Sequence, residues 1–150
     1  QRGLYIHPGH QPVIRCYGYV KNVLDQIRKI FEAPRELVNG KTIYVGDRPT
    51  NLFEWVNGFS KQLTGKAVRV VPRWLMRFLA SAGDIPTRLT GKPFLINSSR
   101  LGSMTTDYNT PIGQTFELLG ENPYTLEEGI AQTVQWLRSY TGPDVRGGGD

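Results

Sequence analysis

Between Tyr19 and Glu32 the apolar positions Val20, Val23, Leu24, Ile27, Ile30 and Phe31 follow the i, i+3, i+4 spacing of a helix, and Pro34 closes the pattern. The spacing predicts a helix that buries this stripe. A second stripe, Leu52, Trp55, Val56, Phe59 and Leu63, follows Asn51 and Glu54, which have the spacing of a capping box, and Gly65 supplies its stop. Pro72 is placed as the first residue of a third helix, through Trp74, Leu75, Phe78 and Leu79 to Gly83. Pro111 opens a fourth that ends at Leu119-Gly120. Thr125 and Glu128 form a capping box for a last helix with the stripe Leu126, Ile130, Val134 and Leu137. Trp55, Trp74 and Trp136 lie on or near these faces and read as core anchors.

Period-two and β-branched runs predict the strands. Lys41 to Gly46 is short, apolar and bounded by Asn39-Gly40 and Asp47-Arg48-Pro49, so it reads as a buried strand between turns. Ala67 to Val71 predicts another, and Thr105 to Tyr108 a third. Residues 83–104 read as irregular, with a short helix from Ser98, and residues 1–18 as an extended connector punctuated by Pro and Gly. Strands that alternate with helices favour α/β packing over separate layers. Residues 1–142 are expected to form the folded portion and residues 143–150 a flexible tail.

Composition narrows the classes. A chain of 150 residues, 39% hydrophobic and 21% charged, has the makeup of an ordinary globular domain. The net charge of +5 is scattered along the length, which argues against a nucleic-acid stripe and for a mild preference for anionic ligands. A single cysteine, Cys16, excludes an internal disulfide and a cysteine-built zinc site, and favours a reducing, cytoplasmic home. No apolar run approaches the roughly 20 residues of a membrane span. His7 and His10 have no acidic or Cys partner nearby, so they read as part of a solvated loop, not as metal ligands. Asn97-Ser98-Ser99 fits a glycosylation sequon, a triplet that chance supplies often.

The order of the pieces resembles the C-terminal portion of the extended short-chain dehydrogenase/reductase family, the NAD-dependent epimerases and dehydratases that act on nucleotide-sugars. The resemblance runs over residues 12–138 and rests on five pieces. These are Ile14 to Val23, Gly40 to Gly46 with the Asn51-capped helix, Pro72 to Leu75, Thr106 to Tyr108 with Leu118 to Gly120, and Thr125 to Leu137.

The resemblance implies the late strands and helices of a Rossmann-type α/β domain plus a C-terminal substrate-binding lobe. It implies NAD or NADP in a full-length parent and a missing N-terminal half that carries the cofactor site. No Gly-rich loop after a first strand is present to cradle a pyrophosphate, so no cofactor-binding or catalytic residue is assigned and the chain alone is expected to be inactive. Tyr17 and Lys21 have the Tyr-x-x-x-Lys spacing of the family's proton-transfer pair, yet they fall in a later segment and read as coincidence. Arg15 matches a family Arg that binds the substrate diphosphate, a role suited to a planar fork of permanent charge. Arg100 matches a second such Arg, and Tyr108 an aromatic hydroxyl near the nucleotide. Expected partners are a nucleotide-sugar, the N-terminal half and a second copy in a homodimer, with neither nucleic acid nor membrane. Lys21-Asn22 stands where many sugar-nucleotide enzymes have an acidic pair, and Tyr19 to Val23 with Val71 to Leu75 also resembles the hydroxysteroid-dehydrogenase branch. A stand-alone binding module without chemistry is the reading from another class.

Overall fold

The computed structural model describes residues 5–90 and 97–140. The tail expected at 143–150 lies outside them. The chain is mixed α/β, mostly helical with a small sheet content.

The connector expected before residue 18 carries two short strands, β1 (Ile6–Pro8) and β2 (Ile14–Arg15). Helix α1 (Val20–Glu32) forms as the spacing predicts, and one turn, α2 (Arg35–Val38), follows Pro34. Strand β3 (Thr50–Asn51) leads into α3 (Leu52–Thr64). Asn51 Oδ1 accepts from the Phe53 amide at 2.9 Å, and Gly65 closes the helix at φ +71°. Strand β4 (Arg69–Val71) is shorter than the expected 67–71. The helix after Pro72, α4 (Arg73–Thr90), runs through Gly83 instead of stopping there. Helix α5 (Ser98–Thr105) is the short helix expected from Ser98. Its cap is Asn97, the sequon asparagine, which is buried and whose side chain accepts from Arg100 N at 2.8 Å. The strand expected at 105–108 does not form, because Thr105 still belongs to α5. Helices α6 (Gly113–Leu119) and α7 (Leu126–Tyr140) complete the chain. The α7 capping box is reciprocal: Thr125 N donates to Glu128 Oε2 at 2.8 Å and Glu128 N to Thr125 Oγ1 at 3.2 Å.

Two small ladders organise the elements. β1 and β4 pair in parallel, His7 opposite Val70, while β2 and β3 pair antiparallel, Arg15 opposite Thr50. Met76, Ala80 and Leu101 pack over the parallel pair together with Ile6 and Val71. A second contact joins α3 to α7 and is close: a Cβ added at Gly58 would stand 2.7 Å from Ile130 Cδ1.

Three expectations about burial are corrected. The expected buried strand at 41–46 does not form: the segment joins no ladder among the described residues, and Lys41, Thr42, Tyr44 and Val45 are exposed. It is held by side chains instead, with Gln26 Nε2 donating to Gly46 O at 2.8 Å and Thr115 Oγ1 to Tyr44 O at 2.6 Å. The face that α1 buries is polar, Asn22 and Gln26, while Val20, Leu24, Ile27 and Phe31 are exposed, Phe31 at 85%. The physical reason is a polar network. Asn22 Nδ2 donates to Asp47 Oδ1 at 2.7 Å and to Tyr124 O at 2.9 Å, and Asn122 Nδ2 donates to Asp47 Oδ1 at 2.8 Å. Turning this face outward would leave those groups unpaired. Trp74 and Trp136, expected in the core, are also exposed, at 71% and 58%.

Candidate functional site

Arg15 lies on β2, between its partner strand β3 and an isolated bridge to Tyr108. Thr50 pairs with it on one side, and Tyr108 forms a parallel bridge to it on the other. The flanking bonds are Tyr108 N to Ile14 O and Ile14 N to Asp107 Oδ1, both 2.9 Å. This fixes the Arg15 backbone before its side chain is considered. The guanidinium donates from Nη2 to the Ser103 carbonyl at the end of α5, and its Cζ lies 5.6 Å from the centre of the Tyr108 ring. A carbonyl on one edge and an aromatic face below restrict a side chain that is otherwise costly to order.

Arg15 and Arg100 line one cavity of about 510 Å³. Arg100 comes from the first turn of α5, whose N-cap Asn97 sets the direction of that turn. The floor is apolar: Leu52, Trp55, Met76 and Leu101 from α3, α4 and α5. Two cations over an apolar floor can hold an anionic group at the rim and a less polar part beneath it. Tyr108 is 70% exposed and lies outside the cavity wall, so it supports Arg15 and does not face the space itself. Of the three residues singled out from sequence, two meet on one cavity and the third touches the first.

The pattern of the sequence did not reveal several other participants. Tyr17 stacks on Trp55, centroids 4.4 Å apart, and both line the cavity. Tyr5 also lines it, and burial pushes its phenol up from the ordinary value. Its Oη lies 3.3 Å from His7 Nδ1. His7 is not in a solvated loop: it is 1% exposed on β1, edge-on to Phe53 at 5.2 Å. Burial, and then the charges of Arg73 and His10, lower its pKa and favour the neutral ring. The one available signal was the alternation of Tyr5, His7 and their apolar neighbours, too short to distinguish a strand from a connector.

Tyr17 and Lys21 are engaged by different neighbours. Tyr17 is taken by Trp55, whereas Lys21 Nζ donates to Gln132 Oε1 at 2.6 Å and lies 5.6 Å from the Tyr124 ring centre. Cys16 Sγ accepts from Thr110 N at 3.3 Å. Among the described residues no group of three His, Cys, Asp or Glu could hold a metal, and no helix is long and apolar enough to cross a membrane.

The site and the fold thus define a mixed α/β chain with a cation-rimmed, apolar-floored cavity. No protein family, characterised protein or solved structure matches this chain.

Proposed function

We propose that the chain is the C-terminal, substrate-binding part of an NAD(P)-dependent nucleotide-sugar epimerase or dehydratase of the extended short-chain dehydrogenase type. The observation that carries this reading is the convergence of Arg15 and Arg100 on one cavity. A diphosphate must be held while the attached sugar stays free to reach a nicotinamide, and two guanidinium forks away from the chemistry meet that need.

The finer fold, late elements of a Rossmann-type domain with a small lobe, draws support from what the chain leaves open. A parallel pair of three-residue strands is too small to stand alone, since parallel sheets are covered on both faces. The exposed 41–46 segment, outside any ladder among the described residues, and the apolar face of α1 are the kind of surface that a sheet and its neighbouring layer would cover. In this reading an adjoining half binds NAD(P) and carries the proton-transfer pair, and this chain alone performs no hydride transfer.

The apolar floor favours a second reading, a hydroxysteroid-dehydrogenase-like fragment that binds a hydrophobic alcohol. Calorimetry on the chain with UDP-glucose and with a 3-hydroxysteroid separates the two. The first reading expects the nucleotide-sugar to bind and Arg15→Lys to weaken it about ten-fold, about 1.4 kcal/mol, because Lys keeps the charge but loses the fork. Steroid binding that is indifferent to Arg15→Lys would establish the second reading, and binding of neither ligand would remove both.

A further inference from the structure

A second and larger cavity, about 790 Å³, lies between the start of α1, the middle of α3 and the length of α7. Its volume is in the range that encloses a drug-sized ligand, roughly 300–1,000 Å³. One wall is aromatic and continuous with the first site: Trp55 carries Tyr17 on one side and Phe59 on the other, centroids 4.7 Å apart in the latter pair. The far wall is Ile130 and Trp136 of α7. Trp136 is turned off the buried Ile130–Val134 stripe and stacks on Tyr140 at 5.2 Å, leaving an indole face largely open.

The charged groups, Lys21 and Asp47, lie where α1 begins, while Gln132, Thr133, Gln135 and Ser139 line the α7 side. Tyr19 Oη donates to Gln132 Oε1 at 2.8 Å, and Lys21 Nζ donates to the same oxygen at 2.6 Å. Gly129 makes this possible, because a Cβ there would stand 3.1 Å from Tyr19 Cγ and push the ring off α7. The carboxylate of Asp47, also on the cavity, is already taken by the Tyr19 amide at 2.6 Å and by the amides of Asn22 and Asn122 at 2.7 and 2.8 Å. Lys21 forms no ion pair among the described residues. Its ammonium is therefore the cation that this end offers to a ligand.

We propose that this cavity binds a flat, apolar ring system bearing a single anionic group, with the rings between the Trp55–Phe59 wall and Trp136 and the anion on Lys21. Aromatic side chains give large contact area to flat rings at low cost in rotamer entropy. A lone ammonium at one end fixes which way round the molecule enters. The site shares Trp55 and Tyr17 with the Arg15 cavity but not its guanidinium groups, so it stands whether or not the nucleotide-sugar reading does.

The test is a fluorescence titration of the chain with two probes of similar shape, the anionic 8-anilinonaphthalene-1-sulfonate and the neutral N-phenyl-1-naphthylamine. Trp136→Ala is expected to weaken both at least five-fold. Lys21→Gln is expected to weaken the sulfonate three- to five-fold and the neutral probe less than two-fold, and Arg15→Lys to change neither. Trp136, Lys21 and the α1 residues used as controls are exposed, so the variants should keep their helical circular dichroism. If Trp136→Ala leaves both affinities unchanged while Leu24→Ser with Phe31→Ser abolishes them, the probes sit on α1 and the cavity is not a site. If Lys21→Gln weakens the two probes equally, the assignment of an anionic ligand is overturned.

Discussion

Gly46 shows how much one position can fix. Its φ is +157°, and a Cβ there would stand 2.9 Å from the Tyr17 carbonyl oxygen and 3.3 Å from Ile112 Cδ1. The first of these neighbours is backbone and cannot turn aside. Gly46 also donates to Gln26 Oε1 at 2.7 Å and accepts from Gln26 Nε2 at 2.8 Å, so any shift would break a paired amide in the interior. Gly46→Ala should therefore destabilise the chain by about 2–4 kcal/mol, read as a lowered urea midpoint. An unchanged midpoint would mean that the segment is free to move. His7 gives a prediction in pH. Its folded pKa lies below the ordinary 6.5, so the unfolded chain takes up the proton first as pH falls. Stability is complete above the unfolded value and declines as pH drops through it towards the folded value. Asp25 is held below the carboxylate range by Lys29 and Arg28, and Glu121 by Arg48, so their contribution is lost only in a more acid window. Urea melts between pH 7.5 and 5 should show a falling midpoint that His7→Gln flattens, and an equal slope in that variant would assign the effect elsewhere.

At the scale of elements, the sequence was most legible where a cap and a stripe agreed. The helix after Asn51 and the one after Thr125 lie where the pattern puts them, and Ile130 and Val134 are buried as their spacing requires. Arg15 and Arg100 could be singled out through the resemblance, but their meeting on one cavity depends on the β2–β3 pairing and on the turn of α5, both set by contacts distant in sequence. Periodicity gives the existence of a face and not its partner, and α1 is where that difference tells. Its apolar stripe was expected inward, yet the fully buried positions are Asn22 and Gln26, one turn apart, with Val23 and Ile30 of the stripe half-buried beside them and Val20, Leu24, Ile27 and Phe31 exposed. A helix can bury a polar face when every polar group there finds a partner, as Asp47, Gly46, Asn122 and Tyr124 supply here. The strand expected at 41–46 misled for a related reason: its β-branched run has the composition of a sheet strand, but the ladder that would pair it is not among the described residues. The consequence is an inverted hydrophobicity rule. Asn22→Ala should cost about 2–3 kcal/mol, because it strands the Tyr124 backbone N–H and C=O and removes one of the three donors that hold the Asp47 carboxylate. Leu24→Ala should stay within about 0.5 kcal/mol, since its side chain already meets water. Denaturant melts with the opposite order would return the apolar stripe to the core.

For the whole molecule, the same stripe becomes a question of what touches it. Val20, Leu24, Ile27 and Phe31 are all exposed on α1. An exposed apolar stripe of this kind on a globular chain marks a contact. In the reading proposed above, a cofactor-binding half covers this surface in the parent enzyme. On its own the chain has only another copy of itself to bury it against. Sedimentation velocity from low to high micromolar concentration should therefore show reversible self-association. Leu24→Glu with Phe31→Glu should abolish it, because two carboxylates facing their symmetry mates cannot be buried without a partner charge. Trp136→Ala, on the α7 side of the molecule, should leave association unchanged, which separates the α1 surface from the second cavity. A wild-type chain that stays monomeric throughout that range would show that the stripe tolerates water without a partner. It would also take away one of the observations on which the docking of a second half rests, while leaving the Arg15–Arg100 cavity to be judged by its ligands alone.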